Sequence, residues 1–245
     1  MPDVDAAQSF YEQVLGWTVT DTGADFGGYR IASVRGSAVA GIAPQMGDAP
    51  PAWTLYIATD DADKAAAAVT SNGGTVLMPP GDVGPLGRMF IGADPSGAAF
   101  GVWQAGVHIG ASLVNEPGGL SWEDLRSGQP AAAQEFYRSM FGYRFDPLPM
   151  AGPDYGLFAL PGEEAPLGGM GGMMGAPDGT QSHWLVYFGV SGTDAAVAAA
   201  EAGGGTVLAP AFDSPYGRLA MLTDPAGATF CVIDTAAAQM PDRSG

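Results

Sequence analysis

The chain is poor in the residues that most often do chemistry or hold metals. It has one cysteine, Cys231, and two histidines, His108 and His183. A single cysteine excludes an internal disulfide framework and fits a reducing compartment, so a cytoplasmic location is expected. Two histidines leave no basis for a Ser-His-Asp arrangement. Basic residues are also scarce, nine against 26 acidic ones, giving a net charge of −17. That excludes nucleic acid, whose phosphates need a basic patch, and argues against docking on an anionic membrane. No apolar run reaches 18 residues, so no transmembrane helix is expected. The opening MPDV has no basic start before an apolar core, so no signal peptide is expected.

What the chain does have is repetition. GRMFIGADPSGAAFGVWQ (87–104) returns as GRLAMLTDPAGATFCVID (217–234). Each copy is two short apolar runs around Asp-Pro-Ser/Ala-Gly, the composition of a type I turn, and predicts a β-hairpin. Likewise SFYEQVLGW (9–17) answers EFYRSMFGY (135–143), and Trp53 answers Trp184. The spacing drifts by only a few residues. The period is too long for a solenoid and marks a duplicated domain.

The periodicity predicts helices over 5–15, capped by Asp3 or Asp5, and over 62–71, capped by Asp60 or Asp61. Strands are predicted at 17–20, 29–34, 37–42, 53–58 and 75–78. PPGDVGPLG (79–87) reads as a loop. The second half repeats the pattern, and LSWEDLRS (120–127) adds a strand before its first helix. The first half has no counterpart to that strand. Either the chain is truncated at its start or something else covers the edge.

These residues carry a resemblance. FYEQVLGW, FYRSMFGY, DPSGAAFGVWQ and DPAGATFCVID resemble the vicinal oxygen chelate superfamily of glyoxalases, bleomycin-resistance proteins and dioxygenases. HIGASLVNEPGGLSWEDL (108–125) is similar to the junction of a tandem actinobacterial glyoxalase-like subgroup. The resemblance implies an α+β fold: four βαβββ units forming two half-open β cups with helices outside, the first β-strand of unit one missing. It divides the chain into a first domain at 1–104, a linker at 105–118, a second domain at 119–235 and a tail at 236–245. The assembly expected is a monomer with an internal pseudo-dimer, or a homodimer.

Enzymes of this superfamily hold a divalent ion in the cup. Residue by residue, the ligand positions fall here on Trp122, on Trp53 and Trp184, and on Gly101 and Cys231. Of these only Cys231 could ligate, so no metal and no cofactor are expected. The indoles read either as the lining of a cup for a flat or apolar ligand, or as core that fills it. Trp103 shares a strand face with Gly101, and Asp124 with Trp122. Asp124 reads as a general base, a ligand partner, or a mouth residue in water. Glu123 should point away. Arg88 and Arg218 recur at one place in both halves and read as anchors for an anionic group or as ion-pair partners of Asp94 or Asp224. Cys231 reads as a small buried hydrophobe. GGMGGMMG (168–175) lacks phosphate-loop spacing; its glycines let backbones approach along a strand.

The function expected is metal-independent binding of an aromatic or apolar metabolite or antibiotic. The competing expectation is an enzyme, a glyoxalase-like lyase or a hydroxylase or oxygenase. A third is a protein–protein module with filled cups.

Overall fold

The computed structural model describes residues 1–45 and 47–238. The helices and strands run α1 (Val4–Leu15), β1 (Thr18–Asp21), β2 (Arg30–Val34), β3 (Ser37–Ile42), β4 (Tyr56–Ala58), α2 (Ala62–Ser71), β5 (Thr75–Asp82), β6 (Gly87–Ala93), β7 (Ala99–Ala105), β8 (Leu120–Arg126), α3 (Pro130–Phe141), β9 (Arg144–Pro147), β10 (Gly156–Ala159), β11 (Gly168–Gly171), β12 (His183–Gly189), α4 (Thr193–Ala202), β13 (Thr206–Ser214), β14 (Gly217–Thr223) and β15 (Thr229–Asp234). The fold is α+β with extended sheets and, among the described residues, no closed barrel. Among the described residues no helix is long and apolar enough to cross a membrane.

Local chemistry accounts for the boundaries. Asp3 caps α1 by accepting from the Ala6 N–H at 2.9 Å, and Asp61 caps α2 by accepting from Lys64 N–H at 3.0 Å. Gly16 and Gly142 end α1 and α3 in the left-handed conformation that a side chain resists. Both Asp-Pro turns close hairpins: Asp94 N–H bonds Ala98 O, and Asp224 N–H bonds Ala228 O, each at 3.0 Å. One boundary differs from the sequence reading. The PPGD of the expected loop belongs to β5, which runs on to Asp82. This strand is the outermost of its sheet, so its prolines interrupt no ladder, and register shifts absorb them.

The chain folds into two compact units, each with its own core. The first takes residues 1–53, 110–121 and those from 186 on; the second takes 54–109 and 122–185. The grouping joins the first βαβββ module to the fourth, and the second to the third. It thus differs from the linear division at 1–104 and 119–235, which follows the duplication.

In the first unit α1 and the β1–β2–β3 sheet share a core with α4 and the strands β13, β14, β15 and the end of β12. Phe10, Tyr11, Trp17, Phe188, Phe230 and Leu222 fill it. The edge left by the missing strand is covered by the connector. Ser112 N–H bonds Ala38 O on β3 at 2.8 Å, and Leu113 packs on the core. Gly118 N–H bonds Gly189 O at 2.8 Å and Gly189 N–H bonds Gly119 O at 2.9 Å. Trp17 donates its indole N–H to Gly118 O at 2.7 Å. Gly118 has φ +85°, and a Cβ there would lie 2.6 Å from Val34 Cγ2. The connector thus takes up hydrogen bonds that a first strand would otherwise provide.

In the second unit β4 pairs in parallel with β7, and the sheet order is β4–β7–β6–β5. Its partner sheet repeats the order as β8–β11–β10–β9, with β8 parallel to β11. Both sheets turn one face to a core of Phe90, Phe100, Val102, Leu125, Phe136, Tyr137, Phe158 and Met170, to which α2 and α3 contribute. The opposite, open faces carry the alternate residues.

The repeated motifs find their reason in these cores. Phe10 packs on the glycines after α4, where a Cβ on Gly205 would lie 2.9 Å from its ring; Phe136 does the same at Gly74, at 3.0 Å. The neighbouring tyrosines meet an indole and an aspartate. Trp53 donates to Tyr11 Oη at 3.0 Å, and Tyr11 donates to Asp224 Oδ2 at 3.0 Å. In the second unit Trp184 donates to Tyr137 Oη at 2.9 Å. Burial, and then the charge of Asp224 or Asp94, raises both phenols well above their ordinary value.

Candidate functional site

The open face of β8 in the second unit carries a polar cluster. On β8 the side chains of Trp122, Asp124 and Arg126 alternate onto the face away from Leu125, which lies in the core. Asp124 is 4% exposed. Its Oδ1 accepts from the Trp122 indole N–H at 3.2 Å and from the Tyr155 hydroxyl at 2.5 Å. Its Oδ2 accepts from Arg126 Nη2 at 2.7 Å, an ion pair largely withdrawn from water. Arg126 balances the buried carboxylate, and the two hydrogen-bond donors hold it in place.

Tyr155 comes from the turn before β10 and lies flat across β11. A Cβ on Gly169 would sit 1.6 Å from Tyr155 Oη and 2.7 Å from Asp124 Oδ1; on Gly171 it would sit 2.6 Å from the Tyr155 ring. This explains the GGMGG run: the glycines clear room for the phenol. Burial first, and then the Asp124 charge, pushes the Tyr155 hydroxyl far above the ordinary phenol range, so it stays protonated. Tyr29 lies over Gly41 in the first unit in the same way.

Glu123 points to the other face of β8, as alternation predicts. Burial, with a smaller push from Asp124, raises its carboxyl to about 8, and its charge acts on Tyr143 in the core. It belongs to the packing rather than to the open face.

The other residues singled out from sequence fall elsewhere. Trp184 is 6% exposed in the second core, and Trp53 packs on the first. Both indole N–H groups already donate to tyrosines, so both serve the core as the structure stands. Arg88 forms a double hydrogen bond with Asp63 and pairs with Asp82; Arg218 does the same with Asp194 and Asp213. Asp94 and Asp224, the partners expected from the sequence, do not pair with them. Those two carboxylates instead fold back on their own turns, accepting from Ser96 and Ala98, and from Ala226 and Ala228. The turn chemistry takes them, whereas Asp63 and Asp194 stand in the first turns of α2 and α4, facing the arginines.

Gly101 lies under the ring of Tyr56, where a Cβ would meet it at 2.4 Å. Trp103 donates to His108 O at 2.8 Å and lines a separate open hollow of about 370 Å³ with Ala58, Thr59, Asp60, Ala105 and Ile109. Cys231 is fully buried opposite Tyr187 in the β12–β15 register. His183 sits at the start of β12 with Nδ1 2.8 Å from Gln181 O. Tyr155 and Arg126 were missed in the sequence. Tyr155 had a signal: GGYR (27–30) and PDYG (153–156) place a tyrosine before the same strand of both halves. Arg126 had none beyond its alternation with Asp124.

Family models match both halves of the chain: the Glyoxalase/Bleomycin resistance protein/Dioxygenase superfamily over residues 1–102, and the Glyoxalase-like domain over 124–233. The chain belongs to this superfamily. "Putative glyoxylase CFP32" of Mycobacterium tuberculosis is 42% identical, over 97% of this chain and 92% of its own length. "Anthracycline biosynthesis protein DnrV" of Streptomyces peucetius is 39% identical, over 95% of this chain and 90% of its own. Among solved structures, the Mn(II)-bound glyoxalase of Novosphingobium aromaticivorans matches with a TM-score of 0.64 at 16% identity, over 98% of this chain and 82% of that one. The halotolerant catechol dioxygenase BphC matches at 0.62 and 14%, over 100% and 87%. At such identities these structures speak to the fold alone.

A divalent ion, which the superfamily implies, does not fit the residues present. Among the described residues no three of His, Cys, Asp and Glu gather in one place. The one buried carboxylate on the open face of β8 already accepts from an indole, a phenol and a guanidinium. The adjacent positive charge opposes a cation where ligands would have to converge.

Proposed function

We propose that this protein binds a small aromatic or apolar metabolite without a metal ion, at the Trp122–Asp124–Arg126–Tyr155 cluster. The observation that supports this is the cluster itself: a fixed polar group beside a partly exposed indole on one strand face. The name of the DnrV relative, an anthracycline biosynthesis protein, favours a flat aromatic ligand. Sequestration of such a molecule needs no chemistry beyond this. Titration of chelator-treated protein with a panel of polycyclic aromatic compounds, followed by tryptophan fluorescence, tests the reading. Saturable quenching that weakens in Trp122→Leu supports it, and an unchanged spectrum with every compound counts against it.

The name of the CFP32 relative favours a second reading, a glyoxalase-like lyase or an oxygenase. In that case Asp124 would take part in turnover. Activity lost in Asp124→Asn and kept in Glu123→Gln would select this reading.

A further inference from the structure

We infer that the outer edge of β4 takes up an extended segment of a partner protein, with an arginine or lysine of that segment seated against Trp103 and Asp60. None of these residues belongs to the Trp122 cluster, so the two sites can be tested apart. β4 is the outermost strand of its sheet and pairs on one side only, with β7. On that side Leu55 O accepts from Gly101 N–H at 2.8 Å, and Thr59 N–H donates to Trp103 O at 2.9 Å. In a parallel ladder alternate residues bond to the same neighbour, so Ala58 turns its own N–H and C=O outward.

The duplicated position shows what such an edge accepts. Gly189 of β12 matches Ala58: Val190 N–H donates to Ile233 O at 2.9 Å, as Thr59 does to Trp103. There the outward groups are paired. Gly118 N–H bonds Gly189 O at 2.8 Å, Gly189 N–H bonds Gly119 O at 2.9 Å, and Pro117 bridges Gly189 in parallel. Among the described residues β4 has no such strand on its outer side. Unpaired edges of this kind are where extended chains add to sheets. A Cβ on Gly189 would lie 2.7 Å from Glu116 O, so the connector bends back over that strand. Ala58 carries a Cβ, which excludes the bend and favours a straight segment.

Beside this edge lies the open hollow of about 370 Å³. Trp103 is fixed in it: its N–H donates to His108 O at 2.8 Å, and a Cβ on Gly87 would lie 2.6 Å from its ring. With the N–H committed, the indole has its π-system left to offer, which attracts a cation. Asp60 lines the same hollow and is exposed; among the described residues its carboxylate has no hydrogen bond or ion pair. Its neighbours Asp61 and Asp63 are engaged by Lys64 and Arg88. The N–H groups of Ala62 and Lys64 at the start of α2 are taken by Gln104 and Asp61 and do not compete for Asp60. An indole and a carboxylate together select a guanidinium or ammonium, and Ala105 and the exposed Ile109 give its alkyl stem apolar contact. The net charge of −17 draws basic segments.

Isothermal titration of the full chain with the blocked peptide Thr-Val-Arg-Val-Thr tests this. The controls are the same peptide with glutamate for arginine, the same peptide with both valines N-methylated, and argininamide. The arginine peptide should bind saturably and about tenfold more tightly than either altered peptide, since one lacks the cation and the other the main-chain donors. Asp60→Asn, a surface change, should weaken the arginine peptide about 3–5-fold, the loss an exposed ion pair carries. Equal binding of the arginine and glutamate peptides, N-methylation without effect, or no binding of the arginine peptide would overturn the inference. Argininamide binding as tightly as the peptide would make the hollow a small-cation site and overturn the strand pairing. Sedimentation showing a dimer of this chain that the peptide dissociates would overturn the assignment to a partner protein.

Discussion

The indole N–H of Trp184 donates to the hydroxyl of Tyr137 at 2.9 Å, in the core between α3 and the sheets of the second unit. An indole that the family resemblance led us to expect at a ligand position is here part of the packing. Tyr137→Phe leaves that N–H without its acceptor. It should cost about 1–2 kcal/mol of stability in urea unfolding, and Tyr137→Phe with Trp184→Phe should cost less than the sum of the two. Additive losses would mean that the two side chains act independently.

Glu123 gives a prediction with a definite sign. Its carboxyl is raised from an ordinary 4.5 to about 8 in the fold, chiefly by burial. The folded protein therefore holds this proton more tightly than the unfolded chain does. The stability it contributes is fully present below about pH 4.5 and is lost as pH rises through about 8. Glu123→Gln, which stays neutral, should flatten this decline and be more stable than the wild type at pH 8.5, by about 1–3 kcal/mol. Parallel pH–stability curves for the two proteins would show that Glu123 is solvated in the fold.

Gly169 is predicted to be intolerant of a side chain. A Cβ would strike Tyr155 Oη at 1.6 Å, and the ring cannot back away without leaving Asp124. Gly169→Ala should lower stability by about 1–3 kcal/mol and remove binding together with it. Gly172→Ala, where a Cβ meets nothing within 4 Å, should change neither much. Thermal melts and a binding titration of both variants separate these outcomes.

The connector makes a similar prediction for the first unit. Gly118→Ala combines a positive φ with a contact on Val34, so it should loosen the cover over β3. Hydrogen exchange should then quicken at Gly189, whose N–H bonds Gly119 O. Exchange unchanged at that amide would mean that the connector is dispensable.

Much of the fold was legible because its signals are local. Asp-Pro-Ser/Ala-Gly closes its hairpin with its own side chain, Asp61 caps α2, and glycines end α1 and α3. The grouping of modules into compact units was not legible, because it depends on which helix Phe10 and Phe136 pack against, and both lie in the same motif. The site was half legible. Strand alternation put Trp122 and Asp124 on one face, but Tyr155 reaches Asp124 from 31 residues along the chain, through space made by glycines that read only as backbone freedom. The arginines show the opposite error: the carboxylates of the Asp-Pro turns were expected, and the partners are first-turn aspartates of α2 and α4 together with Asp82 and Asp213 on the neighbouring strands.

Whether binding proceeds without a metal is the point on which the account turns. The decisive measurement is an isothermal titration of the protein with 2-naphthol in excess EDTA, repeated after dialysis into Mn²⁺, Ni²⁺ or Zn²⁺. The account predicts saturable binding in EDTA, the same affinity with each ion, and loss of that affinity in Trp122→Leu. Binding that vanishes in EDTA and returns with a stoichiometric divalent ion would contradict it.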